Sequence, residues 1–329
     1  MQKYIQSSAL ALGIFMASGA YASDALELPK PEFHGFFSMG ALKAENKDFD
    51  PEAFELEAGI HGLVGYQDFK MKYEFTVDMA QAANRDDANG DDDEIRVKEA
   101  KAFFPTPYGT FLLAPRTTSG TYRNLYDNIN IFEYNETHNG RETSTGNPIF
   151  SQADEGQDVI AYITPRWHNT FIVAAMLAIQ EDNDVDSDVK AIRVVHKGEQ
   201  LSLGASYILI DENVPPAAAG ATDDAKRIAF TAGYDFDNLH LGATYEINKD
   251  TFNGNDFDSY GVAGRYSFGN GLSAALGYYD KDADIDATDN YGVVFQVKKQ
   301  LHPQIALWAE TGQYDTTDNN VAVGVNLKF

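Results

Sequence analysis

Val321-Ala-Val-Gly-Val-Asn-Leu-Lys-Phe329 is the stretch on which the fold turns. Val321, Val323, Val325, Leu327 and Phe329 fall on one face of an extended chain, while Ala322, Gly324, Asn326 and Lys328 fall on the other. Strict alternation marks a half-buried strand, because successive side chains of a strand point to opposite faces. An apolar face that runs to a final aromatic residue predicts the closing strand of a transmembrane barrel, with lipid outside and water within.

The opposite end of the sequence agrees with export. Lys3 precedes an apolar run from Ala9 to Ala20, and Ala20-Tyr21-Ala22 supplies a small-x-small cleavage pattern, so residues 1–22 read as a signal peptide and 23–329 as the barrel domain. The run is shorter than the ~20 apolar residues a spanning helix needs, and no later segment is long enough either. There is no cysteine, which excludes disulfides and thiolate metal sites. Fifty acidic residues against 25 basic ones exclude a nucleic-acid partner. The 27 glycines with 21 Phe and 18 Tyr suit a sheet-rich barrel with aromatic girdles. Negative mean hydropathy is compatible, since half of each barrel strand faces water.

Phe69–Met79 shows the pattern most clearly inside the chain. Phe69, Met71, Tyr73, Phe75, Val77 and Met79 line one face; Lys70, Lys72, Glu74, Thr76 and Asp78 line the other. With turn signals as punctuation, strands are expected near 32–42, 54–64, 69–79, 95–104, 110–116, 159–164, 169–179 and 189–196. They continue near 201–210, 226–235, 239–248, 258–267, 272–279, 290–298, 304–313 and 319–329, making sixteen. Lipid-facing registers are expected at Phe171/Val173/Ala175/Leu177/Ile179, Leu201/Leu203/Ala205/Tyr207/Leu209, Leu239/Leu241/Ala243/Tyr245/Ile247 and Tyr291/Val293/Phe295/Val297. Short connections (165–168, 197–200, 236–238, 268–271) alternate with long acidic ones (81–94, 180–188, 211–225, 249–257, 280–289). Short turns at one rim and long loops at the other characterise outer-membrane barrels. The expected fold is therefore all-β, a transmembrane 16-stranded antiparallel β-barrel.

The longest connection, 117–158, has 42 residues, and loops of such length are functional or disordered. Tyr122, Leu125, Tyr126, Ile129, Ile131, Phe132, Tyr134, Ile149 and Phe150 make it apolar enough to need a packing surface. The inner wall offers one, because a sixteen-stranded barrel encloses a lumen that a loop can enter. This long third outer loop is expected to fold into the lumen as a constriction.

The mature chain resembles the general, trimeric diffusion porins of Gram-negative outer membranes. Arg96-Val-Lys-Glu-Ala-Lys-Ala-Phe103, with Tyr108-Gly-Thr-Phe111 and Arg116, is similar to that family's fourth and fifth strands, which lead into the loop that enters the pore. Asp158-Val-Ile-Ala-Tyr-Ile-Thr-Pro165-Arg-Trp167 is similar to the sixth strand and its Pro-containing turn, and the strand ending at Phe329 to the carboxyl-terminal assembly signal. The resemblance implies an outer-membrane location, a homotrimer, and passive passage of small hydrophilic solutes and ions. It also implies contact with outer-membrane lipid, lipopolysaccharide and the barrel-assembly machinery. Two departures stand out. The Pro-Glu-Phe-Gly-Gly stretch of the family's third loop is missing, and Glu57 and His61 occupy positions where arginine and lysine are common.

In such a pore, rings of carboxylates favour cations and basic rings favour anions. The long loop carries seven acids (Asp127, Glu133, Glu136, Glu142, Asp154, Glu155, Asp158) against Arg123 and Arg141. Asp127, Glu133 and Glu136 are the candidate constriction acids. Lys70, Lys72, Arg96, Lys98 and Arg116 are the candidate wall bases opposite, and the two sets together would impose a transverse field. A weak cation preference follows. The alternative is a substrate-specific channel, for oligosaccharides for example, with Tyr122, Tyr126, Tyr134 and Trp308 beginning an aromatic track. Glu99 and Lys101 fall on the outward register beside Val97, where a basic residue at the bilayer midplane costs ~2–4 kcal/mol. Packing of the early strands against a neighbouring subunit is the expected resolution; a bulge that flips the register is the other.

No enzyme is expected. The seven histidines are scattered, with neither His-x-x-x-His nor Gly-x-Ser-x-Gly. Asp86-Asp-Ala-Asn-Gly-Asp91 is excluded as an EF-hand by Arg85 and Arg96 at ligand positions. No metal site and no cofactor are expected.

Overall fold

The computed structural model describes residues 26–27, 29–66, 68–84, 95–118, 125–135, 149–150, 155–177, 187–212, 224–250, 256–316 and 318–329. The expected signal peptide lies outside them, as do Glu136, Glu142, Asp154, Arg123, Arg141 and Tyr122, and the side chain of Glu155.

Sixteen strands close into a ring. After a two-residue β1 (Leu26–Glu27) come β2 (Glu32–Ala44), β3 (Asp50–Tyr66), β4 (Phe69–Asp78), β5 (Arg96–Thr106), β6 (Gly109–Thr118), β7 (Glu155–Ile163), β8 (Thr170–Leu177) and β9 (Val189–Lys197). The second half comprises β10 (Leu201–Ile210), β11 (Ala225–Asp235), β12 (Leu239–Lys249), β13 (Phe257–Gly269), β14 (Leu272–Ala283), β15 (Asn290–His302), β16 (Ile305–Tyr314) and β17 (Asn320–Lys328). Each strand from β2 onward pairs antiparallel with the next, and β17 pairs with β2 through registers such as Val323↔Ala41. Among the described residues the ring closes without an open edge, so ladder groups find partners where no water is available.

The faces separate as the closing strand predicts. Val321, Val323 and Val325 are 45, 39 and 40% exposed, whereas Ala322 between them is fully buried. Leu203, Tyr207, Leu241, Tyr245, Tyr291 and Phe295 continue the exposed apolar face. Aromatic residues cluster at both rims. At the short-turn rim Tyr266 packs on Phe268 at 5.0 Å and Tyr234 on Phe236 at 4.6 Å. Towards the long loops Tyr260 meets Tyr278 at 6.2 Å, and Tyr278 donates to Asp280 at 2.5 Å. Eight residues separate Tyr260 from Phe268 on β13, about 26 Å along the strand at ~3.3 Å per residue, or roughly 20 Å along the membrane normal at a tilt of ~35–45°, most of an apolar band ~25 Å tall.

Short connections gather at one rim. The β7–β8 turn is a two-residue hairpin centred on His168 and Asn169 (φ 46° and 63°), closed by reciprocal Trp167–Thr170 backbone bonds of 2.8 Å. Two positive φ values in succession give the turn twist that matches the flanking strands.

Two expectations fail here. Phe171 and Val173 were expected outside, but both are buried at 7%, and Ile172 (38%) and Met176 (49%) form the exposed face of β8. Thr170-Phe-Ile-Val-Ala-Ala-Met-Leu177 is apolar on both faces, so its periodicity does not choose a side. Glu99 and Lys101 are likewise turned inward, at 6 and 5% exposure. Val77 pairs with Val97 while Thr76 pairs with Glu99, so Lys98 is the extra residue of a β-bulge. One inserted residue flips the register; no subunit contact is needed to shelter these charges.

Candidate functional site

The polar face of the closed sheet carries two groups of side chains. The first anchors residues 125–135 and 149–150 to β10–β17. Tyr126, Ile129, Ile131, Phe132, Ile149 and Phe150 join Ala263, Ala275, Tyr279, Val294 and Tyr314 in one buried cluster. Aromatic rings meet at 5.0 Å (Tyr126–Phe150), 6.4 Å (Phe150–Tyr279) and 6.5 Å (Phe132–Tyr279), distances at which edge contacts are favourable.

Polar bonds fix the register of the segment. Thr244 Oγ1 donates to the Leu125 carbonyl at 3.0 Å, and Tyr279 donates its hydroxyl to the Ile129 carbonyl at 2.8 Å. The Tyr126 hydroxyl donates to Glu246, and Ser259 to the Ile149 carbonyl. Asn128 donates to Thr231 at 2.9 Å and accepts from Ser202 at 2.9 Å. His240 Nε2 lies 2.9 Å from the Asn128 carbonyl. That carbonyl sits so close to Gly242 that a Cβ there would overlap it, so glycine is required for the approach.

Glu310 makes the tightest anchor. Its carboxylate, 3% exposed, accepts the successive backbone N–H groups of Glu133, Tyr134 (3.0 Å) and Asn135 (3.0 Å). Successive N–H groups turned to one point form an anion-binding nest, here filled by the protein's own carboxylate. Gln296 donates to the same group at 2.5 Å. Asn135, fully buried, accepts from Tyr314 (3.0 Å) and Asn320 (2.8 Å).

Of the candidate acids, Glu133 accepts from Lys298 on β15 and Asn326 on β17, not from any of the five predicted wall bases. Asp127 is exposed. The aromatic residues proposed for a track are enclosed or stacked: Tyr126 is fully buried, Trp308 is 4% exposed, and Tyr134 packs on Phe54 at 5.1 Å, which meets Trp308 at 5.2 Å.

The second group lies on β3–β5. Lys98 donates to Glu55 at 3.1 Å and to Glu57. Lys101, its side chain 1% exposed, sits 3.3 Å from Glu74 and 2.8 Å from Glu99. Four carboxylates therefore surround two ammonium groups. Lys70 and Lys72 are exposed, with the Lys72 ammonium 6.0 Å from the Phe103 ring centre, and Arg116 donates to the Val97 carbonyl at 3.4 Å. Sequence reasoning missed Glu246, Glu310, Lys298 and the acids Glu55 and Glu99. The first three carried a usable signal, as charges on the polar register of strands read correctly.

Among the described residues, no group of three or more His, Asp or Glu side chains is arranged to hold a metal ion.

A family profile described as Gram-negative porin matches residues 7–319. No curated protein matches the sequence. Solved structures resemble the fold throughout. An anion-selective porin from Comamonas acidovorans superposes with a TM-score of 0.73 at 14% identity, covering 91% of this chain and 99% of that one. Salmonella typhi OmpF in complex with daunomycin gives 0.72 at 16% identity, covering 91% and 98%. The trimer form of OmpT from Vibrio cholerae gives 0.65 at 16% identity, covering 93% and 100%.

Proposed function

The chain belongs to the Gram-negative porin family, outer-membrane barrels through which small hydrophilic solutes diffuse passively, and from that premise we propose how this pore is narrowed and charged. Leu125–Asn135 is the constriction: the long third loop turns into the lumen and leaves passage between itself and the wall of β3–β5. The observation that carries this reading is the Glu310 carboxylate on three successive N–H groups of that segment.

The pore is weakly cation-preferring. Four carboxylates around Lys98 and Lys101 leave that cluster acidic, and Asp127 adds a negative charge on the segment facing it. Lys70, Lys72, Arg96 and Arg116 oppose this preference and keep it weak. The field across the passage is softer than full opposition of acids and bases, because Glu133 and Lys298 neutralise each other on one side. A specific oligosaccharide channel is the weaker reading, since Tyr126, Tyr134, Phe54 and Trp308 are engaged in anchoring the segment. The reading contains no catalytic step.

Reversal potential across a planar bilayer in a potassium chloride gradient tests the assignment. Asp127→Asn is expected to move it towards anions. Glu133→Gln, which also leaves Lys298 uncompensated, is expected to move it further. Unchanged potentials in both variants would place these carboxylates away from the ion path.

The functional unit in this reading is a homotrimer in lipid and lipopolysaccharide, reached by cleavage after Ala22 and by delivery of Phe329 to the barrel-assembly machinery. Phe329 exchanges backbone bonds with Gly35 (2.9 and 3.1 Å) and packs edge-on against Phe37 at 5.4 Å, which extends the β17–β2 seam to the last residue.

A further inference from the structure

We propose that His34 and His61, on adjacent strands of the polar face, form a two-imidazole site for a divalent transition-metal ion such as zinc or copper. The two Nδ1 atoms face each other at 3.2 Å, with the rings tilted by 38° and their centres 5.2 Å apart. Two imidazole nitrogens bound to one tetrahedral zinc at about 2.0–2.1 Å each lie about 3.3 Å apart. The pair already stands at ligand spacing.

Both far nitrogens have partners, and that of His61 is already set as a metal site requires. His61 Nε2 is 3.1 Å from Glu32 Oε2, and His34 Nε2 is 3.1 Å from Thr76 Oγ1. An outer carboxylate or hydroxyl on the distal ring nitrogen fixes the tautomer and makes the inner nitrogen a better donor. The backbone is shaped for the arrangement as well. Gly59 pairs directly with His34, and a Cβ there would fall 2.6 Å from both His34 Nε2 and Thr76 Oγ1. Glycine is what admits the ring and its partner together.

Without metal, one tautomer of each ring satisfies all three contacts as a relay. Thr76 donates its hydroxyl proton to His34 Nε2, His34 Nδ1–H donates to His61 Nδ1, and His61 Nε2–H donates to Glu32. Metal entry needs only the other His34 tautomer: the proton moves to Nε2, the Thr76 hydroxyl turns to accept it, and both Nδ1 lone pairs meet the ion. The imidazoles lose no proton overall. Water fills the remaining coordination positions, which makes the site open and selects metals that favour imidazole over hard, oxygen-preferring calcium or magnesium.

The full-length protein, purified in detergent and stripped with a chelator, is titrated calorimetrically with zinc chloride in excess calcium, which occupies sites made of carboxylates alone. One zinc per chain is expected to bind, with affinity at least about tenfold weaker in His34→Gln, His61→Gln and Glu32→Gln. Unchanged affinity in either histidine variant overturns the proposal. Electron paramagnetic resonance of the copper(II)-loaded wild-type protein is an independent reading that needs no variant. Two coordinated nitrogens support the site, and an all-oxygen spectrum overturns it.

Discussion

Glu310→Ala is expected to release residues 133–135 from the wall and raise single-channel conductance, with larger sugars admitted in liposome swelling. The carboxylate accepts three successive N–H groups and the Gln296 amide. Its removal leaves those donors without their partner, at about 1–3 kcal/mol for each group that stays buried. Glu310→Gln separates charge from shape: an amide keeps one acceptor oxygen, so conductance should fall between the wild-type and Ala values. A Glu310→Ala channel of unaltered conductance and sugar cut-off would refute the anchoring role, and with it the view of Leu125–Asn135 as the constriction.

Gly242→Val attacks the same segment from its other end, by volume instead of charge. Even a Cβ at this position overlaps the Asn128 backbone carbonyl, and a β-branched side chain adds two methyl groups. The carbonyl cannot rotate away freely, because Leu125 and Ile129 on either side are tied to Thr244 and Tyr279. Overpacking of a fixed site ordinarily costs about 1–3 kcal/mol, occasionally more, and here a main-chain atom would have to move. The expected result is a correctly inserted barrel whose Leu125–Ile129 stretch becomes accessible to protease added from the long-loop side. Gly264→Val on neighbouring β13 is the control, since a Cβ there meets the end of the Leu241 side chain at 3.0 Å, which can shift. Equal protection in both variants would show that the close approach at Gly242 is not what seats the segment.

Much of the barrel is legible in the sequence because a strand records its environment every second residue. Leu201/Leu203/Tyr207 and Leu239/Leu241/Tyr245 alternate with Ser, Gly, Thr and Glu, so their outer faces follow directly from the pattern. β8 fails for the converse reason. Phe171, Ile172, Val173 and Met176 are apolar on both faces, and only pairing with β7 and β9 decides that Ile172 and Met176 lie outside. β5 fails because a bulge leaves no mark in the alternation: Val97, Glu99 and Lys101 share a parity in sequence but not a face in space.

The site divides along the same line. An acidic, aromatic-rich loop of 42 residues between β6 and β7 is a property of the sequence, and so is the expectation that it seeks an interior surface. Which carboxylates remain to act on a permeating ion is not. Glu133 pairs with a lysine 165 residues away and Tyr126 with a glutamate 120 residues away, and His34 meets His61 diagonally across a strand pair. Alternation fixed the fold, down to the strand that ends in Phe329, because lipid and water impose their contrast on consecutive residues. Partnership among the interior charges depends on sheet closure, register and one inserted residue. Those are set by contacts between segments distant in the chain, so only the tertiary structure decided them.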